Sequence, residues 1–278
     1  MGPWTCFDRV VLAVPALDAA VGCYSELLGR APAWRGSEPD GASTALFQLA
    51  NGALELRQTS EAGPTGVVAI SFGSEDLDES AEFLERRGLH IVRDSVRESH
   101  APSGGKSRRR ELELDLAQTR GVRVSATQQI DPPDGFLLSD LVPGATDDSA
   151  AAGIDHIVVR TVDSDASIVL YRDQLGLRLA LDRSFPERGT RLSFFRLAGV
   201  TIELASRAVQ SAGEDRPDAL WGIAYQVSEA HAARERVAAA GFDVSEVRYG
   251  NKPGTRVCTV RAETYGVPTL LIGSDHGA

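Results

Sequence analysis

The sequence predicts an α+β protein built from four copies of one β-α-β-β-β unit, arranged as two domains. Three observations predict it. First, the chain repeats itself: Arg9–Tyr24 lies over His156–Tyr171 without a gap at an offset of 147, and Leu28-Gly29 falls on Leu175-Gly176. One inserted residue later, Leu54-Glu55-Leu56 falls on Ile202-Glu203-Leu204. Second, Pro64–Gly88 lies over Pro217–Gly241 at an offset of 153, which sets Ala69-Ile70-Ser71-Phe72 on Gly222-Ile223-Ala224-Tyr225. Each half therefore holds two units. Third, every unit carries the same punctuation, an acidic residue near the start of its helix and a glycine at the end.

Each element follows from local pattern. Short β-branched or alternating runs open the units: Val10–Val14, Val67–Phe72, Ile157–Val162 and Trp221–Val227. Helices follow. In the first, Leu17, Val21, Tyr24, Leu27 and Leu28 share one face at helical spacing. Asp18, Asp76, Asp165 and Glu229 suit the positive end of each helix dipole. Gly29, Gly88, Gly176 and Gly241 suit the left-handed residue that closes a helix. Three strands complete a unit, in the third copy roughly Arg178–Arg183, Arg191–Leu197 and Thr201–Ala205. The segment Gln128–Gly153 breaks the pattern with Pro132-Pro133, Pro143-Gly144 and Asp147–Ala152, and reads as a linker. The expected organisation is a first domain at 1–127, the linker at 128–153 and a second domain at 154–274.

Composition narrows the function. The chain has 278 residues, 42% hydrophobic and 24% charged, enough for two cores without staples. Its net charge of −10 argues against nucleic acid or an anionic membrane as partner, because phosphate contacts need a basic surface. No uncharged apolar run approaches the ~18 residues of a membrane span, and the N-terminus lacks the basic start and long apolar stretch of a signal peptide. A cytoplasmic protein is expected. Cys6, Cys23 and Cys258 show neither a disulfide framework nor metal spacing. No Gly-x-Ser-x-Gly elbow and no Walker A loop occurs.

The four ordered copies resemble the vicinal oxygen chelate superfamily, which includes glyoxalase I, extradiol dioxygenases, methylmalonyl-CoA epimerase, and fosfomycin and bleomycin resistance proteins. The matching residues are Asp155-His156-Ile157-Val158-Val159 opening a strand, Leu170-Tyr171-Arg172-Asp173-Gln174-Leu175-Gly176-Leu177 closing a helix, and Thr201-Ile202-Glu203-Leu204 on a last strand. The resemblance implies two glyoxalase-like domains, each an open eight-stranded cup of paired units. It also implies a divalent metal held by His, Gln or Glu from a slot on the first and last strand of each unit. Pairing within a domain and pairing swapped between domains both remain open at this stage.

Carried over slot by slot, the positions are Arg9 and Glu55, Ala69 and approximately Ser125, His156 and Glu203, and Gly222 with Leu270 or Leu271. No pairing of units supplies more than two ligands. A two-His, one-carboxylate iron site lacks its second His, so ring-cleaving dioxygenase chemistry is disfavoured. His156 and Glu203 read as metal ligands, as a catalytic acid–base pair, or as a buried imidazole satisfied by a carboxylate. A metal there (Mn, Fe, Ni or Zn) would be weakly held, with substrate completing its shell, and a site without metal is equally consistent. Glu55 with Arg9 reads as a buried ion pair. Tyr225, Lys252 and Arg256 are the candidate substrate-binding residues. Tyr225 is an aromatic near the glycine gap at Gly222, and the other two are cations of the segment Arg248–Arg256, suited to a carboxylate or phosphate. Strand alternation sets Trp221, Ile223 and Tyr225 on one face and Gly222 on the other. In the first domain, Ser103–Arg110 reads as a solvated hairpin turn.

Two functions fit. One is a glyoxalase-like enzyme performing proton transfer, isomerisation or lyase chemistry on a substrate with vicinal oxygens, in the second cup. The other is a metal-free small-molecule or drug-binding protein of the bleomycin-resistance type. Either takes a small-molecule ligand and exists as a monomer or a homodimer.

Overall fold

The computed structural model describes residues 2–38, 40–60, 62–132, 138–207 and 216–275. Unit one runs β1 (Cys6–Val14), α1 (Leu17–Leu28), β2 (Trp34–Ser37), β3 (Ser43–Leu49) and β4 (Gly52–Gln58). Unit two runs β5 (Gly66–Gly73), α2 (Leu77–Glu85), β6 (Ile91–His100), β7 (Lys106–Leu114) and β8 (Arg123–Asp131). Unit three holds β9 (Ala151–Arg160), α3 (Ser164–Ile168) with a π-helical turn at Val169–Gln174, β10 (Arg178–Phe185), β11 (Thr190–Leu197) and β12 (Val200–Arg207). Unit four holds β13 (Ala219–Val227), α4 (Ala230–Ala239), β14 (Arg248–Tyr249), β15 (Thr255–Val260) and β16 (Thr269–Ser274). The expected order is therefore met in every unit. The four helix-ending glycines all adopt positive φ, at +69°, +78°, +73° and +94° for Gly29, Gly88, Gly176 and Gly241. Asp76 caps α2, its carboxylate accepting from the Asp78 and Glu79 N–H groups.

Pairing is within domains. β1 runs parallel to β4 and antiparallel to β5, and β9 runs parallel to β12 and antiparallel to β13. The second sheet is the expected open one, in the order β10-β11-β12-β9-β13-β16-β15-β14. The first departs from expectation. It closes into a barrel, β1-β4-β3-β2-β6-β7-β8-β5. Closure is made where Ser37 pairs with His100. The reason is strand length. β6 has 10 residues and curls round to reach β2, whereas its counterpart β14 has two and leaves the second sheet's edge unpaired.

Strand pairing also reaches into both ends of the expected linker, since β8 continues to Asp131 and β9 begins at Ala151. Residues 133–137 of that stretch lie outside the described residues. The segment beyond them is anchored: the Ala31 N–H donates to the Asp140 carbonyl, and the Gln48 N–H donates to Ser139 Oγ.

One face of each sheet is packed and the other is left for chemistry. The apolar faces, with α1 on one side and the helices of the second domain on the other, share a continuous core. Tyr24 of α1 is fully buried and donates its hydroxyl to the Thr264 carbonyl across the domain boundary at 3.1 Å. Asn51 donates to the Ile154 carbonyl at 2.8 Å, and Arg236 donates to that of Leu27 at 3.0 Å. No helix among the described residues is long and apolar enough to cross a membrane.

Candidate functional site

His156 stands near the centre of the second sheet, on β9. Its neighbours Ile157 and Val159 point into the core, so alternation turns His156, Val158 and Arg160 toward the open cup. A register shift alters this locally. Ala224 pairs with His156 but Tyr225 pairs with Ile154, which leaves Asp155 as the extra residue of a bulge. The bulge brings the Asp155 carboxylate beside the imidazole: His156 Nδ1 lies 2.8 Å from Asp155 Oδ1. An ionised carboxylate only accepts, so Nδ1 carries the proton and Nε2 is the basic nitrogen of the neutral ring. Nε2 faces Glu203 of β12, with 3.6 Å between Nε2 and Oε2. The imidazole is bracketed by two carboxylates.

The two carboxylates are driven apart in acidity. Burial pushes Glu203 above the ordinary carboxylate range, with the Asp155 charge adding to this and His156 opposing it. Burial acts the same way on Asp155. There it is outweighed by the hydrogen bond and charge of His156, then by the charges of Lys252 and Arg196, and Asp155 is held low. Arg196 donates to Thr201 Oγ1 at 2.6 Å, and Thr201 is the parallel partner of His156. Neither Asp155 nor Arg196 is singled out by sequence reasoning. The signal for Arg196 is the alternation Leu192, Phe194, Arg196 along β11, which continues one face past the Glu203 partner Phe194.

The structure corrects two of the three substrate-binding candidates. Tyr225 is 0% exposed and belongs to the core on the helix side, so it cannot line the cup. Arg256 donates to Asp275 at 2.9 Å and stacks on the exposed Tyr249 ring, 3.6 Å from its centroid. Its strand partner Gly273 abuts α4, which sets Arg256 away from the cup. Lys252 is exposed in the turn after β14, close enough for its charge to act on Asp155. Trp221 is also corrected. A register shift between Leu220 and Gly222 takes it out of the alternation expected with Ile223 and Tyr225. It is 38% exposed, and its ring carries the Arg160 guanidinium 3.8 Å from its centroid.

The four slots of this cup are His156, Glu203, Gly222 and Leu270. Leu271 is buried in the core, whereas Leu270 pairs with Ala224 on the open face. A Cβ at Gly222 would stand 2.8 Å from the Pro268 carbonyl oxygen, so the backbone itself closes that slot. Among the described residues no group of three or more His, Cys, Asp or Glu stands together to hold a metal ion. Catalytic metal sites normally use three protein ligands. His156 and Glu203 supply two donors, which does not fit a resident metal.

In the first barrel the corresponding slots are Arg9, Glu55, Ala69 and Ser125, and all four line a cavity of about 360 Å³. Arg9 Nη1 donates to Glu55 Oε2 at 2.6 Å, and Arg9 Nε donates to Asp8. A guanidinium fills the position of a cation, so a metal does not fit here either. The expected hairpin at Ser103–Arg110 is a turn only as far as Gly105. From Lys106 onward it is β7, whose Arg109, Glu111 and Glu113 face the cavity.

A family model of the Glyoxalase/Bleomycin resistance protein/Dioxygenase superfamily matches residues 7–103, and a second of the same superfamily matches residues 155–259. The chain belongs to that superfamily, with one copy in each half. A search of curated proteins returned no match. Among solved structures, the Mn(II)-bound glyoxalase from Novosphingobium aromaticivorans is similar, with a TM-score of 0.68 and 15% identity over 98% of this chain and 83% of that one. A 4-hydroxymandelate synthase variant from Streptomyces coelicolor has a TM-score of 0.67 and 12% identity over 100% and 94%. BphC, a halotolerant catechol dioxygenase, has a TM-score of 0.63 and 13% identity over 98% and 87%. At these identities the likeness is one of fold.

Proposed function

We propose that the chain is a small-molecule enzyme of the glyoxalase-like type that moves a proton on a substrate with vicinal oxygens, in the cup of the second domain. The observation that carries this reading is the line Asp155–His156–Glu203, an imidazole fixed at one nitrogen and facing a carboxyl held above its usual range at the other. His156 Nε2 takes a proton from the carbon beside a carbonyl. The C–H electron pair forms the new C=C bond, and the carbonyl π pair moves onto oxygen, giving an enolate. Arg196 and Lys252 supply positive charge on the side of Asp155. Glu203, in its protonated form, donates to a substrate oxygen. Glu203 gives its proton to the former carbonyl oxygen and takes that of the neighbouring hydroxyl, and return of the carbon-derived proton from His156 Nε2 to the former carbonyl carbon completes the isomerisation of a 2-hydroxy carbonyl compound. Asp155 holds the ring in the required tautomer. The cytoplasm is the proposed compartment, and the three thiols, all free, are in keeping with a reducing one.

The test is proton exchange from carbon. A panel of 2-hydroxy and 2-keto carbonyl compounds in D₂O is followed by ¹H NMR with the wild-type chain and with His156→Ala. Enzyme-dependent exchange that His156→Ala abolishes supports the reading. Exchange undiminished in His156→Ala, or none from any compound, overturns it. A second reading, a metal-free binding protein of the bleomycin-resistance type, is favoured by Gly222 and Leu270 standing at two of the four slots. It requires a compound that raises the melting temperature without turnover.

A further inference from the structure

The first barrel carries a feature that the proposed reaction does not use. Strand alternation points Arg9 of β1, Arg57 of β4, Arg93 and Arg97 of β6, Arg109 of β7 and Arg123 of β8 into the cavity of about 360 Å³. The carboxylates lining it are Asp40, Glu55, Glu111 and Glu113. Four of these arginines are already ion-paired, Arg9 with Asp8 and Glu55, Arg57 with Glu38 and Asp40, Arg97 with Glu38, Glu111 and Glu113, and Arg109 with Glu38, so the unmet positive charge lies at Arg93 and Arg123. Arg123 has no hydrogen bond or ion pair among the described residues and lies exposed at the cavity edge. Arg93 reaches only Glu113, at 3.3 Å, and Glu113 is already held by Arg97 at 2.5 Å. Arg109 is 7% exposed; its Nη2 donates to Glu38 at 3.2 Å, while its buried Nε finds no hydrogen-bond acceptor among the described residues. Beside Arg123 the wall is hydroxylic, with Ser125 and Thr127 of the same strand and Ser71 of β5 linked to one another.

We propose that the first barrel is a second binding site, for a small hydrophilic oxyanion whose carboxylate or phosphate group sits between Arg93 and Arg123 and whose hydroxyl groups meet the serine and threonine wall. Guanidiniums suit this ligand because their planar forks match a two-oxygen anion. The Arg9 guanidinium at the floor is held by Asp8 and Glu55, so the positive charge offered to a ligand is that of Arg93 and Arg123 at the cavity edge. The volume admits a compact ligand of metabolite size.

The test is calorimetric titration of the full chain at low ionic strength, where screening is weak, with inorganic phosphate and with malonate. Saturable one-to-one binding of at least one, with a dissociation constant below about 1 mM, is expected. The tighter of the two identifies phosphate or carboxylate as the recognised group. Arg93→Ala/Arg123→Ala, at two exposed positions, should weaken binding by about tenfold or more with an unchanged melting temperature. Arg196→Ala, which removes a cation from the other cup, should leave it intact. Absence of saturable binding by either anion, undiminished binding in the double variant, or loss in Arg196→Ala overturns the proposal.

Discussion

Replacing Glu55 by Ala tests whether the first barrel depends on a guanidinium where the fold would otherwise hold a metal. Arg9 and Glu55 are 6% and 3% exposed and bond at 2.6 Å. Removing one partner of such a pair leaves a buried charge uncompensated, which typically costs about 3–5 kcal/mol. Asp8 remains on Arg9 Nε at 2.6 Å, so the lower end applies, about 3 kcal/mol. For a chain of this size that corresponds to a fall in Tm of roughly 6–12 °C. The triple variant Asp8→Asn/Arg9→Met/Glu55→Leu removes all three charges of the cluster and should lose less stability than Glu55→Ala, because no charge is then stranded.

The same pair predicts a pH dependence. Burial raises the Glu55 pKa, but Arg9 and then Arg109 outweigh it and hold the group below its ordinary value. A depressed carboxylate stabilises the fold fully above its unfolded pKa of about 4.3, and that stabilisation is lost as pH falls through the folded value. Urea unfolding at pH 7 and at pH 3 reads both effects. The gap between wild type and Glu55→Ala should be wide at pH 7 and narrow in acid. A loss below about 1 kcal/mol at pH 7, or a gap that widens in acid, refutes the reasoning.

Three further outcomes follow from named contacts. Glu203→Gln should stabilise the chain at pH 7. The folded state favours the proton on Glu203, so ionising it costs stability above the unfolded pKa; the advantage should vanish in melts below pH ~4. Tyr225→Phe should be neutral or stabilising by about 1 kcal/mol, since its buried hydroxyl has no hydrogen-bond partner among the described residues. It should also leave any ligand affinity unchanged, and a weakened ligand would return Tyr225 to the cup. Gly222→Ala should lower stability by about 1–3 kcal/mol in chemical denaturation, because the new Cβ meets the Pro268 carbonyl at 2.8 Å.

The legibility of the candidate site was uneven for a physical reason. His156 and Glu203 could be placed on facing strands because the repeat carries each slot with it, and the parallel register sets Thr201 beside His156 and Glu203 two positions on. Asp155 could not, because a bulge depends on how β9 pairs with β13, some 70 residues further along the chain. Strict alternation sets Trp221 and Tyr225 on one face, and the same irregular pairing separates them. The charges of Ser103–Arg110 read as a solvated turn, because charge is ordinarily exposed. Only closure of the barrel turns Arg97, Arg109 and Glu111 inward.

By itself, then, the sequence determined what is local or repeated: the four units, the helices and their glycine ends, and the contents of the ligand slots. These follow from periodicities of two and 3.6 residues and from self-comparison. The tertiary structure decided whether each sheet closes, where its register slips, and so which polar side chains meet. Those outcomes depend on strand lengths and on pairing between distant segments, for which a single strand's pattern carries no record.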